Sequence, residues 1–147
     1  MDDEALWAAF AASALAPEAW THEAHVRTAF LFASRYPLDE AHLRMRAGIL
    51  RMNARHGLVE SPSRGYFETL TFAWLAIVDE ARRRSGASSS RDLLARCPEL
   101  RDRGLPLAHY SRERLFTTRA RAVFVEPDLA PLPGTSAPPR GDALRSR

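Results

Sequence analysis

The stretch "YFETLTFAWLAIV", residues 66–78, is the most apolar part of the chain and predicts a central, buried helix. Glu68 is the only charged residue within residues 65–78. On a helix, its neighbours one turn away are Thr71 and Phe72, which belong to an apolar face. The carboxylate is therefore expected either near the helix N-terminus, where the dipole favours it, or beside a buried partner, since an unpaired buried carboxylate is unfavourable.

The same periodicity and turn signals predict further helices on both sides of this stretch. Helices are expected over about residues 3–15, 21–35, 38–56, 64–84 and 89–97, with one or two short helices near 111–123. No strand alternation and no internal repeat stands out. The predicted fold class is all-α: a compact single-domain bundle of about five helices over residues 1–133, with an extended proline-rich C-terminal segment. Residues 134–147 are predicted to be a disordered tail.

Helix starts and apolar stripes give two local expectations. Residues 61–63, "SPS", are expected to supply the cap of the fourth helix. The third helix is expected to carry one apolar stripe, with a second set of apolar residues on its flank. The stripe is Leu43, Ala47, Leu50 and Ala54, and the flank is Met45, Ile49 and Met52.

Composition restricts the class of protein. A chain of 147 residues, 46% hydrophobic and 27% charged, fits one soluble globular domain. It has no apolar run of roughly 18 residues that would suggest a membrane span. The acidic N-terminus does not look like a secretory signal. The single cysteine, Cys97, is expected to be an inert thiol in a reducing, cytoplasmic compartment.

The net charge of +3 invites a nucleic-acid interpretation, which two observations weaken. All 21 basic residues are arginine, and glutamine is also absent, as a GC-rich coding bias would produce. The arginines are spread along the chain without a zinc-finger or helix-turn-helix pattern. Nucleic acid is therefore the least favoured partner. An apolar first helix is compatible with a homodimer, but no interface is specified.

Two histidines open the second predicted helix, in "WTHEAHVRTAFLF", residues 20–32. Thr21 is a good N-cap, and Trp20 before it could pack back onto His25. His22 and His25 are three residues apart and should share the inward face. Neutral imidazoles so placed suit metal binding or acid–base chemistry, although H-x-x-H alone is a weak motif. The alternative is a pair of partly buried histidines bonded to carbonyl or carboxylate groups at a helix start.

Glu68 is the carboxylate that could meet these histidines across the interface of the second and fourth helices. If a metal is bound, His22, His25 and Glu68 would hold a divalent transition metal. Without a metal, His25 would act as general base and Glu68 as the second catalytic group that orients it. In the metal-dependent case, Tyr66 or Arg64 would orient the substrate. The plainer alternative is a first-turn glutamate beside a helix cap.

Other polar residues carry weaker expectations. Arg27 and Arg64 lie near helix starts, where arginines and free N–H groups favour a small anionic ligand, although solvated surface arginines are equally simple. His109 could close a pocket, or it could merely precede a helix capped by Ser111. His42 is expected to be exposed on the flank of the third helix.

Four ordered segments together resemble a group of small bacterial helical proteins with no assigned function. The segments are "THEAHVR", "SRGYFETLTFAWL", "HYSR" and "FVEPDLAPL". The group is similar in its H-x-x-H-x-R, Y-H-E-T, Y-S/Y-R and V-x-P-D patterns, over roughly residues 5–133. The resemblance implies roles for His22, His25 and Arg27, and for Tyr66, Glu68 and Thr69. This chain departs at Phe67, where the group has histidine, which leaves a remnant site rather than a three-histidine one.

Three functions follow as expectations. The first is a small-molecule pocket between helices two and four, in a metal-dependent enzyme that uses His22, His25 and Glu68. The second is a non-catalytic accessory or interaction protein in which the same residues form a buried polar network. The third is a basic regulator that binds nucleic acid.

Overall fold

The computed structural model describes residues 1–134, which form seven α-helices and three 3₁₀-helices, with no β-strand in that part of the chain. The all-α expectation is confirmed. Residues 135–147 of the predicted tail lie outside the described residues. The α-helices are α1 (Asp3–Ala11), α2 (His22–Arg35), α3 (Leu38–Arg55), α4 (Glu68–Ser85), α5 (Ser90–Arg96), α6 (Arg112–Leu115) and α7 (Thr118–Ala122). The 3₁₀-helices are Pro17–Ala19, Pro98–Arg101 and Leu105–Ala108.

The helix α4 lies at the centre of the bundle, as its sequence predicts. On one side it packs with α1, α2, α3 and α5 around the main core, which includes Val26, Met45, Leu75 and Val78, all fully buried. None of the helices in the described part of the chain combines the length and the apolar character that a membrane crossing needs. The core therefore consists of helices packed on helices, with α4 buried on two sides.

The start of α2 forms as expected. The Thr21 hydroxyl accepts a hydrogen bond from the backbone N–H of Ala24 at 3.1 Å, which caps the helix. The Trp20 ring packs edge-on against the His25 ring, with the centroids 5.5 Å apart. This cap fixes the direction in which the first turn of α2 presents its two histidines.

The flank residues of α3, and not its stripe, form the buried face of the helix. Met45, Ile49 and Met52 are buried, together with Ala41 and Gly48. Leu43 is 57% exposed and Leu50 is 38% exposed. The two apolar stripes lie on opposite sides of the helix, and periodicity alone cannot choose between them. The methionines face inward because Gly48, on their side, lets α1 approach: a Cβ there would lie 2.3 Å from the Phe10 ring.

The helix α4 begins at Glu68, and not at residue 64 or next to the "SPS" stretch. The longer connection is held by Glu60, whose carboxylate accepts a hydrogen bond from the backbone N–H of Tyr66 at 2.6 Å. Arg121 of α7 donates to the backbone carbonyls of Pro62 and Gly65. Gly65 has φ of +108°, which other residues rarely adopt. Tyr66 therefore precedes the helix instead of belonging to its first turn.

A second, smaller core covers the other side of α4. It joins Ala73 and Ala76 of α4 to buried residues of the C-terminal part, namely Tyr110, Leu115, Ala120, Val125 and Leu132. The Thr69 hydroxyl donates to the carbonyl of Val123 at 2.9 Å and accepts from the N–H of Val125 at 3.1 Å. The Tyr110 hydroxyl donates to the Val125 carbonyl at 2.7 Å. The non-helical segment of residues 123–132 is thus part of the fold.

Candidate functional site

A cavity of about 340 Å³ opens between the start of α2 and the first half of α4. Its wall combines aromatic, aliphatic and polar side chains from both helices and from the connection before α4. The lining residues include Trp20, His22, His25, Tyr66, Phe67, Leu70, Thr71, Trp74 and Arg103. The structure therefore brings together three of the residues singled out in the sequence, His22, His25 and Tyr66. Glu68 is not part of this wall.

His22 is held on the cavity wall by a hydrogen bond to the backbone. Its Nε2 lies 2.8 Å from the carbonyl oxygen of Leu100. A carbonyl only accepts, so Nε2 carries the hydrogen, and Nδ1 of the neutral ring carries the lone pair. The ring also packs edge-on against Trp74, with the centroids 4.8 Å apart. The alternative of a histidine bonded to a carbonyl is realised here, in a residue that still borders the cavity.

His25 keeps part of its surface accessible. Desolvation, and second the positive charge that His22 can carry, lower the pKa of His25 to about 4. The ring is therefore neutral at pH 7. A neutral imidazole offers one N–H donor and one acceptor nitrogen.

Glu68 lies beside the cavity in a separate network between α3 and α4. Its Oε1 accepts hydrogen bonds from the Tyr66 hydroxyl at 2.6 Å and from His42 Nε2 at 2.7 Å. Its Oε2 accepts from Arg46 Nη1 at 3.0 Å. A histidine does meet Glu68, but it is His42 of α3. The expectation that His42 is exposed is wrong, since only 18% of its side chain is accessible.

The hydrogen bonds of this network determine the protonation states of Glu68 and Tyr66, the two partners in its shortest bond. Desolvation alone would raise the pKa of Glu68, but hydrogen bonds from Tyr66, His42 and Arg46 outweigh it and hold that pKa below its ordinary value. Burial, followed by the bond to Glu68, raises the pKa of Tyr66. Glu68 is thus a carboxylate, and Tyr66 is a phenol whose hydrogen points to it.

The predicted ligand set of His22, His25 and Glu68 is not assembled. Residues 1–134 contain no group of three or more His, Cys, Asp or Glu side chains placed to hold a metal ion. Glu68 already accepts from three donors, two of them across the α3–α4 interface. The reason is geometric: α3 lies against α4 at this level and supplies the partners expected from α2.

The other predicted ligand-binding residues lie away from the cavity. Arg27 donates to the Ser90 hydroxyl at 2.7 Å and pairs with Asp3, which ties α2 to α1 and α5. Arg64 is exposed and borders a different cavity, near Pro17 and His56. The Nδ1 of His109 lies 2.9 Å from the carbonyl of Pro131 and anchors the C-terminal segment. Arg27 and Arg64 therefore do not lie together at this cavity, as an anionic ligand held by both would require.

Sequence reasoning missed several residues of the site. His42 and Arg46 are an i, i+4 pair beside the buried stripe of α3, a spacing that puts two donors on one side of a helix. Thr71 was counted only as part of an apolar face, and Trp74 only as part of the apolar stretch of residues 66–78, yet both line the cavity. Arg103, rather than Arg27 or Arg64, is the arginine in its wall. Only the α3 pair had a usable signal in the sequence.

Phe67 also lines the cavity, and the guanidinium of Arg121 lies 4.5 Å from the centre of its ring. This is the position at which the resembled group has histidine. A histidine there would join His22 and His25 in one wall, whereas Phe67 gives this chain a more apolar cavity.

Comparison with known proteins does not name a family. No protein-family model matches the chain, and neither a curated protein nor a solved structure matches it significantly. The resemblance to the small bacterial group stays a prediction, and functional inference rests on the geometry of the cavity.

Proposed function

We propose that this protein binds a small, flat organic molecule in the cavity between α2 and α4. The observation that carries the proposal is the wall itself: aromatic rings of Trp20, Phe67 and Trp74 surround a space that His22 and His25 also border. Ligand sites are typically concave and mostly apolar, with a few convergent polar groups. At about 340 Å³ the cavity is at the small end of their size range.

A larger groove, about 720 Å³, lies between α1 and α3 and is the weaker candidate. Trp7, Phe32 and Tyr36 line it, but no histidine does. Its Glu40 is already paired with Arg44 at 2.8 Å. Volume alone favours this groove, whereas the two histidines beside aromatic walls favour the smaller cavity.

Binding is proposed ahead of catalysis because of how the two catalytic candidates are held. His25 is neutral over the physiological range, which suits hydrogen bonding, but its low pKa makes it a weak general base. The Glu68 carboxylate accepts from Tyr66, His42 and Arg46 and does not border the cavity. Metal-dependent catalysis by His22, His25 and Glu68 would need these side chains to rearrange.

A second candidate function is supported by the Glu68 network. A buried carboxylate that accepts from three donors, two of them on α3, fixes the packing of α3 on α4. This matches the expectation of an accessory protein in which polar residues serve the fold. Under this proposal the cavity stays empty, and the protein acts through its outer surface.

The test is chemical-shift mapping on the ¹⁵N-labelled chain with phenol, indole and benzofuran. A nine-heavy-atom fragment that gains about 0.5 kcal/mol per atom would bind with Kd on the order of 1 mM, so millimolar titrations suffice. We expect shifts in the backbone amides of residues 20–25 and 65–74. Shifts confined to the groove at Trp7 and Tyr36, or none up to 10-fold above this estimated Kd, would refute the proposal.

Two phenylalanine variants provide the matched comparison. Phe67→Ala removes one aromatic wall of the cavity and should weaken fragment binding several-fold. Phe116→Ala removes a ring that is 56% exposed and lies elsewhere, and it should leave binding unchanged. Equal effects of the two variants would mean that the fragments do not occupy the cavity.

A further inference from the structure

The wall of the cavity between α2 and α4 contains basic side chains and no carboxylate. The basic side chains are those of His22, His25 and Arg103. Among the described residues that line the cavity, none is Asp or Glu. Glu68 lies next to it, but that carboxylate already accepts from three donors outside the wall or at its edge. The charge that the wall presents to a ligand is therefore positive.

Arg103 reaches the cavity because the chain before it is attached to the first turn of α2. The Leu100 carbonyl lies 2.8 Å from Nε2 of His22 and accepts its hydrogen. The Arg101 Nε donates to the Glu23 carboxylate at 2.7 Å. These two bonds hold the segment before Arg103 against α2. Arg103, two residues after the second bond, therefore borders the cavity from the side of α2.

The guanidinium of Arg103 has no hydrogen-bond or ion-pair partner among residues 1–134. Arg101, by contrast, is paired with Glu23 and also donates to the Leu94 carbonyl at 3.0 Å. Arg103 is exposed as well as part of the wall, which places it at the mouth of the cavity. Its guanidinium is free to turn toward a ligand, and its planar set of N–H groups matches a carboxylate.

His25 supplies a second donor to the same cavity. Its ring packs edge-on against Trp20, and its nitrogens form no hydrogen bond within the described part of the chain. The ring is neutral at pH 7 and so carries one N–H. The wall thus offers one permanent cation and one neutral donor, which suits a ligand with a single negative charge.

We propose that the cavity selects aromatic monocarboxylates, whose ring packs among the aromatic side chains of the wall and whose carboxylate accepts from Arg103 and His25. This proposal rests on the proposed binding function and names the ligand class. A monoanion is favoured over a phosphate ester, because the second negative charge of a phosphate would have no counterpart in the wall.

Benzoate and benzamide form the decisive pair of probes, since they have nearly the same shape and only benzoate is charged. Arg103 is partly solvated, so we expect a modest preference, with benzoate bound about five-fold more tightly at low ionic strength. The preference should shrink at about 0.5 M salt, which screens an exposed charge. The Kd values are measured by chemical-shift titration of the backbone amides of residues 20–25 and 65–74.

Three variants locate the preference. Arg103→Gln should bring the Kd of benzoate to that of benzamide and leave the Kd of benzamide nearly unchanged. His25→Phe removes the second donor and should weaken the binding of benzoate. Arg119→Gln is the matched control, because it changes the net charge equally at an exposed arginine that borders a different cavity, near Ser111 and Asp128. It should leave the preference intact.

Equal binding of benzoate and benzamide in the cavity at low ionic strength would overturn the carboxylate preference and leave the binding function standing. Shifts with indole but with neither of these probes would have the same meaning, whereas no shift with any of the three would overturn both proposals. A preference that Arg103→Gln and Arg119→Gln reduce equally, with the fold verified by circular dichroism, would show that net charge and not Arg103 sets it. A benzoate affinity unchanged by His25→Phe would contradict the contact with His25.

Discussion

The bond between Tyr66 and Glu68 should stabilise the fold measurably, and a double-mutant cycle with Tyr66→Phe and Glu68→Gln tests it. The Glu68 side chain is only 10% exposed, so its hydrogen bonds are little screened. A hydrogen bond to a charged group contributes about 1.5–3 kcal/mol, and a neutral one about 0.5–1.5 kcal/mol. Glu68→Gln should therefore lower the free energy of unfolding by about 2–3 kcal/mol.

Arg46 adds little to this figure. Its side chain is 40% exposed, and an ion pair at that exposure contributes roughly 0–1 kcal/mol. Tyr66→Phe should lower the free energy of unfolding by about 1–2 kcal/mol. Because the two side chains share one bond, the double variant should lose about 1 kcal/mol less than the sum of the two single variants.

Urea unfolding, followed by tryptophan fluorescence and circular dichroism, supplies the four free energies. Glu40→Gln is the control, because Glu40 forms an exposed i, i+4 pair with Arg44 and should cost less than about 0.5 kcal/mol. A coupling energy between Tyr66 and Glu68 below about 0.3–0.5 kcal/mol, the usual limit of additivity, would refute the reasoning.

The native protein and Glu68→Gln should also differ in how their stability depends on acid pH. The pKa of Glu68 is lower in the folded protein than its ordinary value of 4.5. Its contribution is therefore complete above pH 4.5 and is lost as the pH falls through the folded pKa. The difference in unfolding free energy between the native protein and Glu68→Gln should shrink below pH 4.5. A constant difference down to pH 3 would contradict this assignment.

Three further predictions concern other residues. Between pH 6.5 and about 4 the unfolded chain should bind a proton that folded His25 does not. The free energy of unfolding should therefore fall by about 1–3 kcal/mol as the pH is lowered through this range. His25→Gln should remove that part of the pH profile, and an unchanged profile would contradict the assignment to His25. Gly48→Ala should destabilise by about 1–3 kcal/mol, because the new Cβ meets the Phe10 ring, and a midpoint equal to the native one in thermal unfolding would argue against that contact. Metal analysis of tag-free protein should give far less than one transition-metal ion per chain, with His22→Ala no different; a stoichiometric metal that is lost in the variant would reinstate the histidine ligand site.

The fold class followed from the sequence because the relevant signals are local. Apolar periodicity and a threonine cap act within one or two turns, so α2 was predicted within one residue of its observed bounds, His22–Arg35. The choice of face on α3 was not local. It depends on the approach of Phe10 to Gly48, two residues that are far apart in sequence.

The site followed only in part, for the same reason. The sequence indicated that His22 and His25 face inward and that Glu68 needs a partner. It could not indicate which helix supplies the partner, because His42 was expected to be exposed on the flank of α3. The late start of α4 at Glu68 also depends on tertiary contacts, from Glu60 and Arg121 to the preceding connection. Nothing in the local pattern of "SPSRGYF" signals them.

The attachment of residues 123–132 to α4 has a consequence for the order of events during synthesis. Thr69 and Tyr110 bond to Val123 and Val125, so the second core cannot close until that late segment has emerged from the ribosome. The nascent chain can assemble α1 to α5 earlier, since domains begin to fold from the N-terminal side. Until release, Ala73 and Ala76 of α4 would face water or a chaperone. This protein is therefore expected to mature in two steps, and a stop codon before residue 123 should yield an aggregation-prone product although every long helix is present.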